Sequence, residues 1–134
     1  MTIRTAALAD LPVLAAHDRH ISEKELDNLI RLGQVTIGEV DGEFAGWLRW
    51  NLFWDNTPFL NMLYLLEPHR GQGYGRELMV HWELRMKDQG FQRVMTSTAS
   101  DEYAQHFYQK LCYRAIGGFT PHGDVYEVIF EKLL

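Results

Sequence analysis

The 134-residue chain predicts an α/β (α+β) fold in one domain, and three stretches carry that expectation. An apolar run, Phe59 to Leu66, leads into the glycine-rich segment Glu67-Pro-His-Arg-Gly-Gln-Gly-Tyr-Gly-Arg76. A helical pattern over Glu77 to Asp88 and a strand pattern over Phe91 to Thr98 follow. Strand, turn, helix and strand in that order make a right-handed crossover between parallel strands. Ahead of it, Val35 to Val40 and Phe44 to Trp54 flank Asp41-Gly42, the dipeptide of a two-residue hairpin. A chain of this length buries one sizeable core and hardly two, so the domain is read as spanning 1–134.

Thr2 to Thr5 reads as a short first strand, and Asp10 with Pro12 just inside marks a helix start ahead of Leu11, Leu14 and Ala15. Ser22 and Glu25 form a capping box for a second helix that carries Leu26, Leu29 and Ile30 and ends at Gly33. The return strand of the hairpin holds Trp47, Trp50 and Trp54, read as core or sheet-face packing. Alternation puts Trp50 and Trp54 on one face and Trp47 on the other. Asp55 to Pro58 is turn chemistry, and Phe59 to Leu66 is apolar enough for a strand buried on both faces. Leu78, Met79, Trp82 and Met86 recur at helical spacing until Gly90 stops the helix. Asp101 and Glu102 are placed in the first turn of a helix running to about Leu111, where negative charge favours the N-terminus. Tyr113 to Phe119, a turn over Pro121 to Asp124 and an alternating strand from Val125 to Phe130 close the chain.

A net charge of −5 argues against a nucleic-acid partner held by phosphate neutralisation and suits a cationic or amine partner. The lone cysteine, Cys112, excludes an intrachain disulfide and reads as a small buried side chain. The segment Met1-Thr-Ile-Arg-Thr lacks the apolar core of a signal peptide, and no apolar run approaches the ~18 residues of a membrane span. A cytoplasmic location without membrane contact is the expectation. His17, His20, His69, His81, His106 and His122 are scattered without metal-site spacing, so no metal is expected.

Gly71, Gly73 and Gly75 let backbone approach a ligand without Cβ interference, and the N–H groups that open a helix carry positive partial charge. Strand, glycine turn and helix start together form an anion cradle, flanked by Arg70 and Arg76. A Walker phosphate loop is excluded because no Lys-Ser or Lys-Thr follows the glycines. A dinucleotide fingerprint fails because the third glycine comes one residue early and the next strand ends in Ser and Thr where an acid is needed. A turn that merely joins strand to helix requires neither three alternate glycines nor two arginines.

The spacing Arg70-x-x-Gly73-x-Gly75 before an amphipathic helix resembles the Arg/Gln-x-x-Gly-x-Gly/Ala signature of the GNAT superfamily of N-acetyltransferases. Ala104-Gln-His-Phe107-Tyr108-Gln-Lys110-Leu-Cys112-Tyr113 resembles its second signature, Asn-x-x-Ala-x-x-Phe/Leu-Tyr-x-Lys/Arg-x-Gly-Phe. Asp101 stands where Asn is usual, Cys112 for Gly and Tyr113 for Phe. The Asp101 exchange replaces amide donors by an acceptor, and Cys112 implies a helix end not closed by a left-handed glycine. The order β-α-α-β-β-β-α-β-α-β-β is also that of the superfamily. The resemblance therefore implies the GNAT acyl-CoA N-acyltransferase fold: a mixed, mostly antiparallel central sheet with helices on both faces, its fourth and fifth strands splayed at their ends.

What the resemblance implies for chemistry is acetyl transfer from acetyl-coenzyme A to the primary amine of a small-molecule or peptide acceptor. It places pyrophosphate on Arg70, Gly71, Gln72, Gly73, Tyr74, Gly75 and Arg76, pantetheine on Leu65 and Leu66, and further coenzyme contacts on Asp101, Phe107 and Lys110. Tyr108 is the implied catalytic residue, because a tyrosine hydroxyl within reach of sulfur can protonate the departing thiolate or stabilise its charge. The connection from His17 to Ser22 is the implied wall of the acceptor pocket. The general base stays open: Thr96 stands where some members carry Glu, the fourth strand offers only Asn61, and Glu67 lies nearby. A water-relayed proton or an amine arriving deprotonated covers that gap. The alternatives are a coenzyme-binding module or sensor without chemistry and a nucleotide-binding protein of unrelated chemistry. The acceptor and a homodimer also stay open.

Overall fold

The computed structural model describes Met1 to Leu134. Its strands are β1 (Thr2–Thr5), β2 (Val35–Val40), β3 (Glu43–Phe53), β4 (Thr57–Leu65), β5 (Arg93–Ala99), β6 (Arg114–Phe119) and β7 (Glu127–Leu133). Its helices are α1 (Leu11–His17), α2 (Glu23–Arg31), α3 (Tyr74–Asp88) and α4 (Ala104–Lys110). The strands hydrogen-bond in the order β1-β2-β3-β4-β5-β7-β6, mostly antiparallel, with β4 and β5 the parallel pair. The element order is the one the sequence implies. The chain divides into two compact units, Met1–Asn51 with Met62–His81 and Leu52–Asn61 with Trp82–Leu134.

In the first unit, β1, β2 and β3 form an antiparallel set around the Asp41-Gly42 turn, where φ values of 53° and 78° give the mirror-image turn that strand twist favours. Leu14, Leu26, Ile30, Val35, Ile37 and Trp47 form one buried cluster, which is where α1 and α2 put their apolar stripes. The Ser22 hydroxyl accepts the Glu25 N–H at 3.2 Å, and Gly33, at φ 72°, closes α2. Asp10 stands at the N-cap position of α1 with Pro12 in the first turn, as the sequence predicts, but its side chain makes no capping hydrogen bond to that helix. Its carboxylate accepts the Ala7 N–H at 2.8 Å and Nη1 and Nη2 of Arg4 at 2.7 and 2.8 Å, so it serves the short 3-10 turn ahead of the helix.

In the second unit, β5 pairs along its whole length with β7, and β6 lies outside β7 at the sheet edge. The parallel ladder of β4 with β5 is confined to Phe59↔Met95 and Leu60↔Thr96. Trp54 is not on β3 with Trp50. The strand ends at Phe53, and Trp54 and Asp55 adopt φ of 52° and 64°, a left-handed pair that no strand can run through. Trp54 is consequently 80% exposed, its ring 5.3 Å from that of Phe53. Nor is β4 buried on both faces: Pro58 and Leu60 are buried, whereas Asn61 and Tyr64 are exposed. Leu78, Met79, Trp82 and Met86 are all fully buried along α3, as their spacing predicts.

Two corrections concern the last helix. Asp101 and Glu102 sit in the turn before α4, because the chain first folds back off β5, with Glu102 N–H donating to Ala99 C=O at 3.0 Å. Cys112 does close the helix in the left-handed conformation, at φ 72°, with Tyr113 N–H donating to Tyr108 C=O at 3.0 Å. The position imposes the conformation whether or not glycine occupies it. Cys112 is also exposed, not buried.

Candidate coenzyme loop and the Tyr108 cluster

In the first unit, Glu67–His69 forms a short 3-10 turn after β4, and Gly71 and Gly73 follow at φ of 73° and 87°. A Cβ at either glycine would meet nothing within 4 Å, so the constraint is the backbone conformation itself and the space kept clear above it. The helix begins three residues earlier than the pattern predicts, at Tyr74, which places Gly75 and Arg76 inside α3. Its first hydrogen bond runs from Glu77 N–H to Gly73 C=O at 3.1 Å. The N–H groups of Tyr74, Gly75 and Arg76 therefore open the helix without helical acceptors, at the positive end of its dipole. That arrangement suits an anion. The Gln72 side-chain amide donates to Pro68 C=O at 3.2 Å, bracing the loop from within.

Arg70 is tied back to the end of β4. Its Nε donates to Leu65 C=O at 2.9 Å, and its guanidinium lies 5.1 Å from the centre of the Tyr64 ring. Leu66 N–H donates to Ala45 C=O at 2.8 Å, and Leu66 C=O accepts from His69 N–H at 2.9 Å. A Cβ at Gly46 would collide with the Tyr64 carbonyl, so the close approach of the two strands here requires that glycine. The Tyr64 ring is also 5.0 Å from Trp47, which continues to Phe44 at 5.9 Å and from Phe44 to His17 at 5.3 Å.

The connection after His17 is anchored by a buried ion pair that no local pattern announces. Asp18 accepts Arg49 Nε at 2.6 Å, Arg49 Nη2 at 3.3 Å, the Trp47 indole N–H at 3.0 Å and the His20 N–H at 3.3 Å. Both side chains of the pair are buried. Burial pushes the Asp18 carboxyl up, but the hydrogen bonds and charge of Arg49, with the His20 and Trp47 donors, hold it below the usual carboxylate range.

In the second unit, Tyr108 is 7% exposed near the middle of α4, its ring 5.2 Å from Phe107, 5.7 Å from Tyr113 and 6.5 Å from Phe130. Burial pushes its phenol up to about 12, a hydrogen bond with the Thr96 hydroxyl works the other way, and the charge of Glu102 adds to the rise. Tyr108 is neutral at physiological pH. Tyr113 donates to Glu83 Oε2 at 2.7 Å, and Lys132 donates to the other oxygen of Glu83 at 2.8 Å. Burial first, then the charge and hydrogen bond of Glu83, raise the Tyr113 phenol far above its ordinary value. Asp101 and Lys110 are exposed and Phe107 is half-buried. No group of three or more His, Cys, Asp or Glu side chains is clustered to hold a metal ion.

The chain matches the model of the Acetyltransferase (GNAT) family over residues 4–112. Among solved structures, Ard1 from Thermoplasma volcanium superposes with a TM-score of 0.85 at 15% identity, covering 99% of this chain and 97% of that one. A ribosomal-protein-alanine N-acetyltransferase from Brucella melitensis gives 0.82 at 20% identity with both chains covered completely, 100% each. PaiA N-acetyltransferase from Thermoplasma acidophilum, in complex with coenzyme A, gives 0.80 at 18% identity, covering 99% and 98%. At these identities the likeness is one of fold. No curated protein sequence matches the chain.

Proposed function

The chain belongs to the acetyltransferase (GNAT) family, and from that premise we propose that a single domain spanning 1–134 moves the acetyl group of acetyl-coenzyme A directly to a primary amine, without an acyl-enzyme. The observation that carries the reading is the glycine loop. Left-handed Gly71 and Gly73 deliver the chain into a helix whose opening N–H groups face no helical acceptor. A diphosphate is the ligand such a run of donors suits best. The amides from Gly71 to Arg76, with the side chains of Gln72, Tyr74 and Arg76 around them, take the pyrophosphate. Arg70 spends Nε on Leu65 C=O and keeps its Nη donors for phosphate oxygens. Leu66 has both backbone groups engaged, so Leu65 N–H is the group we assign to the pantetheine amide. Phe107, Lys110 and Asp101 complete the coenzyme contacts.

Attack of the amine on the thioester carbonyl gives a tetrahedral species that expels the coenzyme thiolate. Tyr108 meets that sulfur as a neutral hydrogen-bond donor. Full transfer of its proton to a thiol of ordinary pKa, about 8.5, is uphill by roughly 3.5 pKa units, about 5 kcal/mol, which favours charge stabilisation over complete protonation. The amine loses its proton through water, and the same proton finally neutralises the thiolate. Thr96, in the place of a carboxylate, has no basicity to offer. The acceptor is a cationic or neutral amine, in keeping with the net charge of −5, which disfavours nucleic acid. No helix is long and apolar enough to cross a membrane, and a cytoplasmic location is part of the proposal.

The test is thiol release from acetyl-coenzyme A with a panel of peptide N-termini, lysine peptides, polyamines and amino sugars. Amine-dependent release with mass addition of one acetyl group to the acceptor is the expected result. Tight coenzyme binding with no transfer to any amine class would leave a sensor in place of the enzyme.

A further inference from the structure

The turn between β3 and β4 is made of residues that its shape disfavours. Asn56 N–H donates to Phe53 C=O at 3.2 Å across Trp54 and Asp55, whose φ values are 52° and 64°. The β2–β3 turn makes the same left-handed pair with Asp41 and Gly42, residues that suit it. A tryptophan in that conformation is strained, because its Cβ crowds the neighbouring carbonyl. Burial does not offset the strain, since Trp54 is 80% exposed. One face of its indole lies on Phe53, with ring centroids 5.3 Å apart and planes 22° from parallel, and Phe53 leans in turn on Phe59 at 5.9 Å. The other face is open. Backbone strain held without compensating burial points to a ligand.

Trp54 borders an open cavity of about 440 Å³ within the second unit, in the size range of small-molecule sites. The turn lines it with Trp54, Asn56 and Thr57, and the connection from α3 to β5 lines it with Phe91, Gln92 and Arg93. The proposed mechanism uses none of these side chains. Arg93 is the one charged group among them. Its Nη1 stands 3.7 Å from Glu131 Oε2, beyond hydrogen-bond distance, and Glu131 has a closer partner in Arg114 at 2.9 Å. Two guanidinium groups thus share one carboxylate, which leaves a single positive charge unbalanced beside the cavity. Asp55 neighbours Trp54 in the turn but does not line the cavity. The Thr57 hydroxyl donates to Asn56 Oδ1 at 2.8 Å, so the Asn56 amide nitrogen is left as a donor. Gly90, which stops α3, also lies on the rim, and the negative end of the helix dipole disfavours a doubly charged guest.

We propose that this cavity binds a small aromatic carboxylate, its ring stacked on the open face of Trp54 and its carboxylate paired with Arg93. A planar guanidinium meets a carboxylate with two parallel hydrogen bonds, and an indole face takes a second aromatic ring in offset stacking. The site is independent of the coenzyme reading.

The experiment is a titration of isotope-labelled protein with sodium benzoate, following the indole N–H signals by NMR. Trp47, Trp50 and Trp82 are buried, and the Trp54 signal is assigned by its loss in Trp54→Gly. Benzoate should move the Trp54 signal saturably, with coenzyme A present or absent, while acetate and benzyl alcohol at the same concentration leave it in place. Arg93→Gln should weaken benzoate about tenfold, the loss of roughly one charge-assisted hydrogen bond. Trp54→Gly should abolish binding, read from the benzoate signals, and raise the melting temperature, because glycine adopts the left-handed conformation without strain. A linear drift without saturation means an adventitious additive only and overturns the proposal, as does a shift that coenzyme A abolishes. Unchanged affinity in Arg93→Gln, or benzyl alcohol binding as tightly as benzoate, overturns it too. Phenyl phosphate binding more tightly than benzoate would make the guest a phosphate and overturn the assignment to a carboxylate. A lowered melting temperature for Trp54→Gly would give Trp54 a structural role and overturn the argument from strain.

Discussion

Tyr108 and Asp18 show how one side chain's environment sets what it does. Tyr108 is buried among Phe107, Tyr113 and Phe130 with its phenol raised to about 12, so at neutral pH it offers a proton and never a charge. Tyr108→Phe should therefore lower kcat roughly 100-fold with little change in coenzyme affinity, since the lost interaction is made only as the sulfur acquires charge. Steady-state kinetics beside calorimetric binding of acetyl-coenzyme A would check it. Asp18 is the opposite case, a carboxylate kept ionised by Arg49 in a buried position. Asp18→Ala strands Arg49 as an uncompensated buried cation and should cost about 3–5 kcal/mol in denaturant unfolding. The pH dependence follows from the sign of the shift. A folded-state pKa below the unfolded value of about 3.9 means the contribution is complete above that value and is lost as acid takes the pH down through the lowered one. Asp18→Asn should flatten that acid limb.

At the scale of elements, the helix ends carry the readiest tests. Cys112 holds a left-handed conformation that glycine adopts without strain, so Cys112→Gly should raise stability by about 1 kcal/mol. A melting temperature unchanged or lowered would mean the end of α4 is not strained. Gly73, at φ 87° with open space where a Cβ would go, makes the complementary case. Gly73→Ala should cost about 1 kcal/mol of stability and weaken acetyl-coenzyme A binding more than that, because the added methyl occupies the space kept for phosphate. These elements were readable from sequence in proportion to how local their cause is. The Asp41-Gly42 hairpin, the Ser22 cap, the Gly33 stop and the α3 stripe each arise within a few residues. The reading failed where an element's end depends on what the chain meets next: Trp54 left its strand, and α4 began after the turn that holds Asp101.

For the molecule as a whole, the single-domain proposal and the donor proposal each make a thermodynamic prediction. One domain should unfold in one transition, with calorimetric and van't Hoff enthalpies equal; two resolved transitions would divide it along its two compact units. Acetyl-coenzyme A at about 100 times its dissociation constant should add ~2.7 kcal/mol to the stability. ATP or NADH doing so in its place would assign the glycine loop to another ligand.

The family was legible from two motifs that resemble its signatures, and the glycine turn into α3, the helix starts and the hairpin were legible because glycine spacing, caps and turn dipeptides act through neighbouring peptide units whose geometry is the same in any fold. Which charges would be buried together was not. Asp18 with Arg49, and Tyr113 with Glu83 and Lys132, join residues far apart in sequence. A buried charge or phenol takes its protonation state from the dielectric and the donors that surround it, and those exist only once distant segments have been packed side by side.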